Sequence, residues 1–277
     1  MNRIVHLRNL YDRYGPIGLV QEAARRPKRL VEVVRGNTNH FYTLENTVYW
    51  EDIVTIVPQV VDCSQDEAVA VWEEIRGDTR VEQELTAGLR RTGERPDGLH
   101  SNWREFLYVL VRLTEPTCVV ETGIYDGLSA TYILAALRKN GCGELISIDI
   151  NNQERLPSDI ENVDAGWLVP PYLQGAWTRK FGDAKELLPT VLETETPDVF
   201  IHDSLHTAEH MRFEFETATE FMEPGGFLVT DNCRFNNVFR AYVESSFASV
   251  AFWPNTEYAL SPSKERVDDR FGIGVLQ

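Results

Sequence analysis

VVETGIYDGLS, residues 119–129, is the stretch from which the fold of this 277-residue chain can be read. Two β-branched residues run into an acid and a glycine, and a second glycine follows four positions later (Gly123, Gly127). The residues that continue it, SATYILAALRKNG (129–141), have the pattern of a helix that ends at Asn140 and Gly141. A strand feeding a glycine turn at a helix start is how a parallel α/β sheet holds a nucleotide-like ligand beside its strand ends. Spacing then separates the ligands. Dinucleotide folds that bind pyrophosphate use G-x-G-x-x-G, whose backbone amides close on the phosphates. Here the pattern is E-x-G-x-x-x-G, and an acid ahead of the first glycine repels a phosphate. A ligand with a cationic end and a ribose fits better, and S-adenosylmethionine is the common one of that kind.

Outward from this motif, strand and helix patterns alternate from Thr117 onward. Strands are predicted at CVVETG (118–123), ELISIDI (144–150), WTRKFGD (177–183), PDVFIHD (197–203), GFLVTDN (226–232), SVAFWPN (249–255) and RFGIGVLQ (270–277). Helical patterns fill most of the gaps, which predicts an α/β fold: a Rossmann-like, seven-stranded, doubly wound sheet with right-handed crossovers. The seventh strand follows the sixth after a short charged stretch, SPSKERVDD (261–269), and is therefore expected to insert antiparallel. Residues 1–100 read as an N-terminal helical region without a sheet pattern, for substrate or oligomer contacts, and residues 101–277 as the ligand-binding domain. Within the former, Ser64 and Glu67 make a capping box ahead of Ala68, Val71, Trp72 and Ile75 at helical spacing. TGERPDG (92–98) is the expected linker. Asn102 with Glu105 is the expected cap of a helix whose apolar stripe is Trp103, Phe106, Leu107 and Leu110.

A hydrophobic content of 43% and a charged content of 25% suit a globular protein with one large core. The net charge of −16 argues against a nucleic-acid partner, because phosphate neutralisation needs a basic surface. The charge is uneven: residues 1–35 hold eight Lys/Arg against three Asp/Glu, so they carry +5 and the remainder −21. That end reads either as a solvated helical face or as a peripheral contact with an anionic substrate, a partner or a membrane surface. Cys63, Cys118, Cys142 and Cys233 form no C-x-x-C pair and read as reduced structural thiols. There is no apolar run of 18 residues and no signal-peptide core at the start, so a cytoplasmic protein is expected.

Chemistry concentrates at the predicted strand ends. Asp149 closes the second strand 22 residues after Gly127, where an acid accepts hydrogen bonds from ribose hydroxyls or caps the next turn. Asp183 closes the third strand and either meets the exocyclic amine of adenine or caps the following helix. VFIHDSLHTAEH (199–210) sets His202, Asp203, Ser204 and His206 at the ligand-binding edge, where Asp203 and Ser204 are further candidate cofactor contacts. Asp231 and Asn232 close the neighbouring strand. Asp203, Asp231 and Asn232 thus make a candidate Mg²⁺ site of three oxygen ligands with open positions, and their other reading is strand-end capping. His206 to His210 also spells H-T-A-E-H, the H-x-x-E-H pattern of a zinc hydrolase.

Taken together, these residues resemble the class I S-adenosylmethionine-dependent methyltransferases, closest to small-molecule enzymes with an ETG first motif and an HDSLHT-type loop. The matching pieces are the segment VVETG to ISIDI (119–150), GWLVP (166–170), FGDAKELLP (181–189), VFIHDSLHTAEHM (199–211) and EPGGFLVTDN (223–232). The resemblance implies that Glu121, Thr122, Gly123, Gly127 and Ser129 line the amino-acid end of the cofactor. Asp149 would hold the ribose, and Asp183 with Ala184 would face the adenine. It also implies that Asp231 and Asn232 are the acid-amide metal pair of catechol-type O-methyltransferases. In those enzymes the third ligand is an acid at the end of the fourth strand, after apolar residues, whereas here His202 precedes Asp203. The expected activity is methyl transfer to a hydroxyl or carboxyl of a small molecule or saccharide. His206 and Asp203 are the candidate catalytic residues, and a homo-oligomer is compatible with the chain. The alternatives are a non-methyl-transfer use of the same fold, such as a monooxygenase-like component, and the zinc hydrolase.

Overall fold

The computed structural model describes residues 46–91, 101–153, 163–233, 236, 238–243, 247–254 and 270–277. Among the described residues four helices precede the sheet: α1 (Asn46–Val60), α2 (Gln65–Arg76), α3 (Thr79–Arg91) and α4 (Asn102–Thr114). The sheet then alternates β1 (Cys118–Thr122), α5 (Leu128–Asn140), β2 (Glu144–Asp149), a 3-10 turn (Pro171–Ala176) and β3 (Trp177–Phe181). It continues through α6 (Ala184–Leu192), β4 (Val199–His202), α7 (Ala208–Phe221), β5 (Phe227–Thr230), α8 (Val238–Val243), β6 (Phe247–Pro254) and β7 (Arg270–Leu276). The chain divides into two compact units, Met1–Asp52 and Ile53–Gln277, and the whole sheet lies in the second.

The seven strands lie in the order β3-β2-β1-β4-β5-β7-β6. Strands β1 to β5 pair in parallel, while β7 pairs antiparallel with both β5 and β6. The expected antiparallel insertion of the last strand is present. Its glycines let it happen: a Cβ on Gly272 would stand 2.5 Å from the Phe239 ring, and one on Gly274 2.6 Å from the Phe247 ring. Two aromatic side chains therefore lie directly over the β7 backbone.

Strand β1 is buried throughout, as a central parallel strand must be. Helix α5 is buried from Leu128 to Leu137 because it is covered by the sheet on one side and α4 on the other. It stops at Gly141, whose left-handed φ of 74° lets its N–H reach the Leu137 carbonyl at 2.9 Å. Phe200, Phe215, Phe239 and Phe271 are fully buried. Each contributes roughly 1.5–3 kcal/mol on burial. The outermost strand β3 is largely exposed and carries Arg179 and Lys180, charges that blunt a free sheet edge.

The capping box of Ser64 and Glu67 forms as read. The cap of α4 differs. Ser101, not Asn102, accepts from the Arg104 amide at 3.2 Å, and Glu105 turns away from the cap. Its buried carboxylate instead accepts from the Trp72 indole at 2.6 Å and from Arg76 at 3.1 Å, fastening α2 to α4. The linker at 92–98, the basic residues 1–35 and the SPSKERVDD stretch lie outside the described residues. No helix among the described residues is long and apolar enough to cross a membrane.

Candidate active site

Strand order reverses between β1 and β4, each joined to its own neighbours, and a crevice opens at the carboxyl ends of the strands there. A cavity of about 590 Å³ occupies it, bounded by Gly123, Asp149, Asp183, Ala184, Asp203, Ser204 and His210 among others. Tyr125, Ile150 and Leu205 also line it and are 48%, 70% and 57% exposed, which makes an apolar rim.

The glycine loop takes its shape from contacts at both glycines. Gly123 has φ +90°, and a Cβ there would fall 2.1 Å from the Asp203 carbonyl oxygen. Gly127, at φ +87°, faces the 166–170 segment, where a Cβ would meet Gly166 Cα at 2.8 Å. The segment is tied back to the loop by Gly166 N–H to the Tyr125 carbonyl (2.7 Å) and Leu168 N–H to that of Asp126 (3.0 Å). Tyr125, Asn151 and Asn232 also have positive φ without being glycine, so unusual backbone gathers around this crevice.

Asp149 is the loop's anchor. One carboxylate oxygen accepts from the amides of Ile124 (2.7 Å) and Tyr125 (3.1 Å), and the other from Asn151 (2.6 Å). Asp183 caps α6 by accepting from the Lys185 amide at 2.8 Å while also lining the cavity. The Lys185 ammonium in turn pairs with Glu209 at 2.7 Å, joining α6 to α7 along the cavity wall.

Glu121, Thr122 and Ser129 lie behind the cavity wall. Glu121 is fully buried and accepts from the Ser129 hydroxyl at 2.5 Å and the Ser147 hydroxyl at 2.8 Å. Burial pushes its carboxyl up to about 7, against the lowering effect of the two hydroxyls. Thr122 donates on the other side to Glu214 at 2.6 Å. Of the residues assigned to the cofactor from sequence, Gly123, Asp149, Asp183, Ala184, Asp203 and Ser204 line the cavity, and Glu121, Thr122, Gly127 and Ser129 support it from beneath.

At the ends of β4 and β5, ligand atoms of Asp203, His206 and Asp231 all lie within 4.8 Å of one another. Asn232 directs its side-chain amide to Asp231 at 2.6 Å. The structure thus brings Asp203 to Asp231 and adds His206 to the pair. Burial, followed by the neighbouring His202, pushes the His206 imidazole down to about 4, which keeps it neutral near pH 7, the form a metal ligand or a base needs. Two carboxylates and a neutral imidazole fit a divalent cation.

The H-x-x-E-H pattern does not assemble. His206 precedes α7, whose cap is Thr207; Glu209 is paired with Lys185, and His210 is bonded to Glu214 at 2.8 Å. The residue that sequence reading missed is Glu214. It is fully buried, yet its carboxyl is held down to about 2: burial acts to raise it, and hydrogen bonds from His202 and His210 overcome that. Its signal was the four-residue spacing from His210, which puts both on one helix face.

Residues 120–233 match the model of a methyltransferase domain. Among the described residues, those that line the cavity fall inside that span. No curated protein matches the chain by sequence. Solved structures with a similar fold include a Klebsiella pneumoniae protein provisionally described as an O-methyltransferase, with TM-score 0.54 and 17% identity over 80% of this chain and 99% of that one. Another is the O-methyltransferase TomG from Streptomyces achromogenes, involved in tomaymycin synthesis and solved with SAM, at 0.51 and 15% over 84% and 99%. A third is cofactor-bound Rv0187 from MTB, at 0.52 and 14% over 72% and 91%. At these identities the likeness is one of fold, the Rossmann-like fold of these methyltransferase structures.

Proposed function

We propose that this protein is an S-adenosylmethionine-dependent methyltransferase acting on an oxygen of a small molecule or saccharide. The observation that carries the reading is the Asp149 carboxylate. It stands in the wall of a cavity that also includes Gly123, where a side chain would not fit, and Asp183 with Ala184. That set matches a ligand with a cationic end, a ribose and an adenine. The methyltransferase-domain match over 120–233 supports the same reading.

When bound, S-adenosylmethionine would supply a methyl group on a cationic sulfur, the O–CH₃ bond forming as the S–CH₃ bond breaks with its electron pair left on sulfur. Because charge is lost at the sulfur, the chain acts mainly by positioning and by excluding water. His206 accepts the hydroxyl proton, and Asp203, 3.9 Å from its Nε2, then stabilises the imidazolium. A side chain held down to about 4 is a weak base for an unassisted sugar hydroxyl. We therefore assign a divalent ion, Mg²⁺ or Mn²⁺, to Asp203 and Asp231, with Asn232 or His206 as the third ligand. When bound, it would lower the pKa of the acceptor. A carboxylate acceptor, such as a uronic acid, needs neither base nor metal.

Calorimetry with S-adenosylmethionine and S-adenosylhomocysteine tests the reading, followed by labelled-methyl transfer to natural-product hydroxyls, sugar hydroxyls and uronic acids. Micromolar binding, on the order of −8 kcal/mol, is expected. Tight NADH binding with no response to either sulfur ligand would overturn it. Binding without transfer to any acceptor would favour a non-methyl-transfer use of the pocket. We assign the protein to the cytoplasm on its four free cysteines. The basic residues 1–35 are proposed to touch an anionic acceptor or membrane surface, which acceptor kinetics across a salt series would reveal.

A further inference from the structure

Behind the cavity, one buried carboxylate collects four hydrogen bonds from separate parts of the fold. Glu214 Oε2 accepts from Thr122 Oγ1 at the end of β1 (2.6 Å) and from His202 Nδ1 at the end of β4 (2.5 Å). Its Oε1 accepts from Ser204 Oγ in the following loop (2.8 Å) and from His210 Nε2 on α7 (2.8 Å). Two oxygens offer about four lone-pair sites, so the carboxylate is saturated. A charge this deep persists only when its acceptor sites are filled, and each donor is thereby held in place.

The consequence reaches the reacting side through the segment 203–206. His202 precedes it and donates from Nδ1 to the Glu214 carboxylate, which turns its Nε2 away from that carboxylate. That Nε2 is buried and has no hydrogen-bond partner among the described residues. The His202 ring meets the His206 ring edge-on, with centroids 5.1 Å apart, and packs against Phe215 at 5.4 Å. Ser204, inside the segment, is bonded to the same carboxylate. Asp203 is held to β1 by its N–H on the Thr122 carbonyl at 2.9 Å, while the Thr122 side chain returns to Glu214.

We propose that Glu214 is a positioning residue: it orients the His202 ring and clamps the 203–206 segment, and so sets where Asp203 and His206 stand relative to the glycine loop. The inference rests on the reading of this cavity as a methyl-transfer site, though the clamp itself is measurable without substrate. Glu214→Gln keeps the volume but replaces one acceptor oxygen by a donor, which faces two donors already in place. Ser204→Ala removes a single donor and leaves the carboxylate intact.

The test uses the full chain. Ring ¹⁵N spectra of the ligand-free protein should show His202 protonated at Nδ1, a pattern altered in Glu214→Gln and kept in Ser204→Ala. Amide hydrogen exchange of residues 203–206 should rise about tenfold or more in Glu214→Gln and less in Ser204→Ala, with β2 and β3 unchanged. S-adenosylhomocysteine affinity in Glu214→Gln should fall by no more than about tenfold, because Asp149 and Asp183 lie outside the clamp while Asp203 and Ser204 lie within it. Unchanged His202 spectra and exchange in Glu214→Gln would overturn the proposal. So would a uniform rise of exchange over the whole sheet with a parallel loss of affinity, since that marks a role in folding only; if Glu214→Gln fails to fold, unaltered exchange of 203–206 in Ser204→Ala is the overturning result. Wild type that binds no S-adenosylhomocysteine would instead sink the methyl-transfer reading, while the His202 spectrum would still decide the clamp.

Discussion

The carbonyl oxygen of Asp203 stands where the Cβ of any residue other than glycine at position 123 would have to go, 2.1 Å from its ideal place. The ends of β1 and β4 touch through this gap, and the cavity depends on their closeness. Gly123→Ala adds both the clash and a strained φ of +90°. It is expected to lower stability by roughly 2–4 kcal/mol and to abolish micromolar cofactor binding. Denaturant melts and calorimetry on the same sample check this. An alanine variant of wild-type stability would mean that the two strand ends separate freely.

Asp149 holds three amides of the loops around the cavity and lines it as well. Asp149→Ala should therefore weaken S-adenosylmethionine binding by about 1–3 kcal/mol, roughly 5- to 150-fold in affinity. Asp183→Ala loses one capped amide and should cost less. Equal losses from the two would shift the main recognition from ribose to adenine.

Divalent ion binding is expected at Asp203, His206 and Asp231, read by Mn²⁺ titration with paramagnetic relaxation in the absence of any acceptor. Asp231→Ala should remove the site, because a buried carboxylate is lost from a three-donor set. Asn232→Ala should weaken it by a smaller factor if the amide orients Asp231, and by as much if Asn232 is itself a ligand. Full turnover in excess chelator would leave His206 as the base alone, and turnover surviving His206→Ala as well would point to a carboxylate acceptor.

Glu121 gives a pH signature in stability. Its carboxyl is raised from the usual carboxylate value of 4.5 to about 7 by burial, so the native state binds its proton more tightly than the unfolded chain. Stability from this group is then present below pH 4.5 and lost as pH rises through 7, by on the order of 3 kcal/mol. Glu121→Gln removes the titrating group and should flatten that decline, leaving the variant at least as stable as wild type at pH 8. Parallel pH–stability curves for the two proteins would show that Glu121 does not titrate there. Glu214 runs oppositely: its contribution is present above 4.5 and lost as pH falls towards 2.

Much of the architecture was legible because it is written in local patterns. The seven strands, the helix after Gly127 and its stop at Gly141 follow from side-chain periodicity and from backbone positions only glycine tolerates cheaply. Asp149, Asp183, Asp203 and Asp231 were legible as strand-end acids for the same reason, since a parallel sheet puts those ends on one edge.

Which acid does what depended on neighbours distant in sequence. Glu105 reads as a cap partner, yet it binds Trp72 and Arg76 because α2 packs on α4. Glu121 reads as a cofactor contact and lies buried between Ser129 and Ser147. His206 and His210 read as one zinc motif and part company at the start of α7. Glu214 carried no motif, and only packing gathers Thr122, His202, Ser204 and His210 around it. Sequence by itself determined the order of elements and the edge on which the chemistry sits, because dihedral preference and periodicity act over a few residues. Tertiary structure alone decided the partners of each buried charge, because a carboxylate is satisfied by whichever donors the fold brings within 3 Å or so, however far apart they lie along the chain.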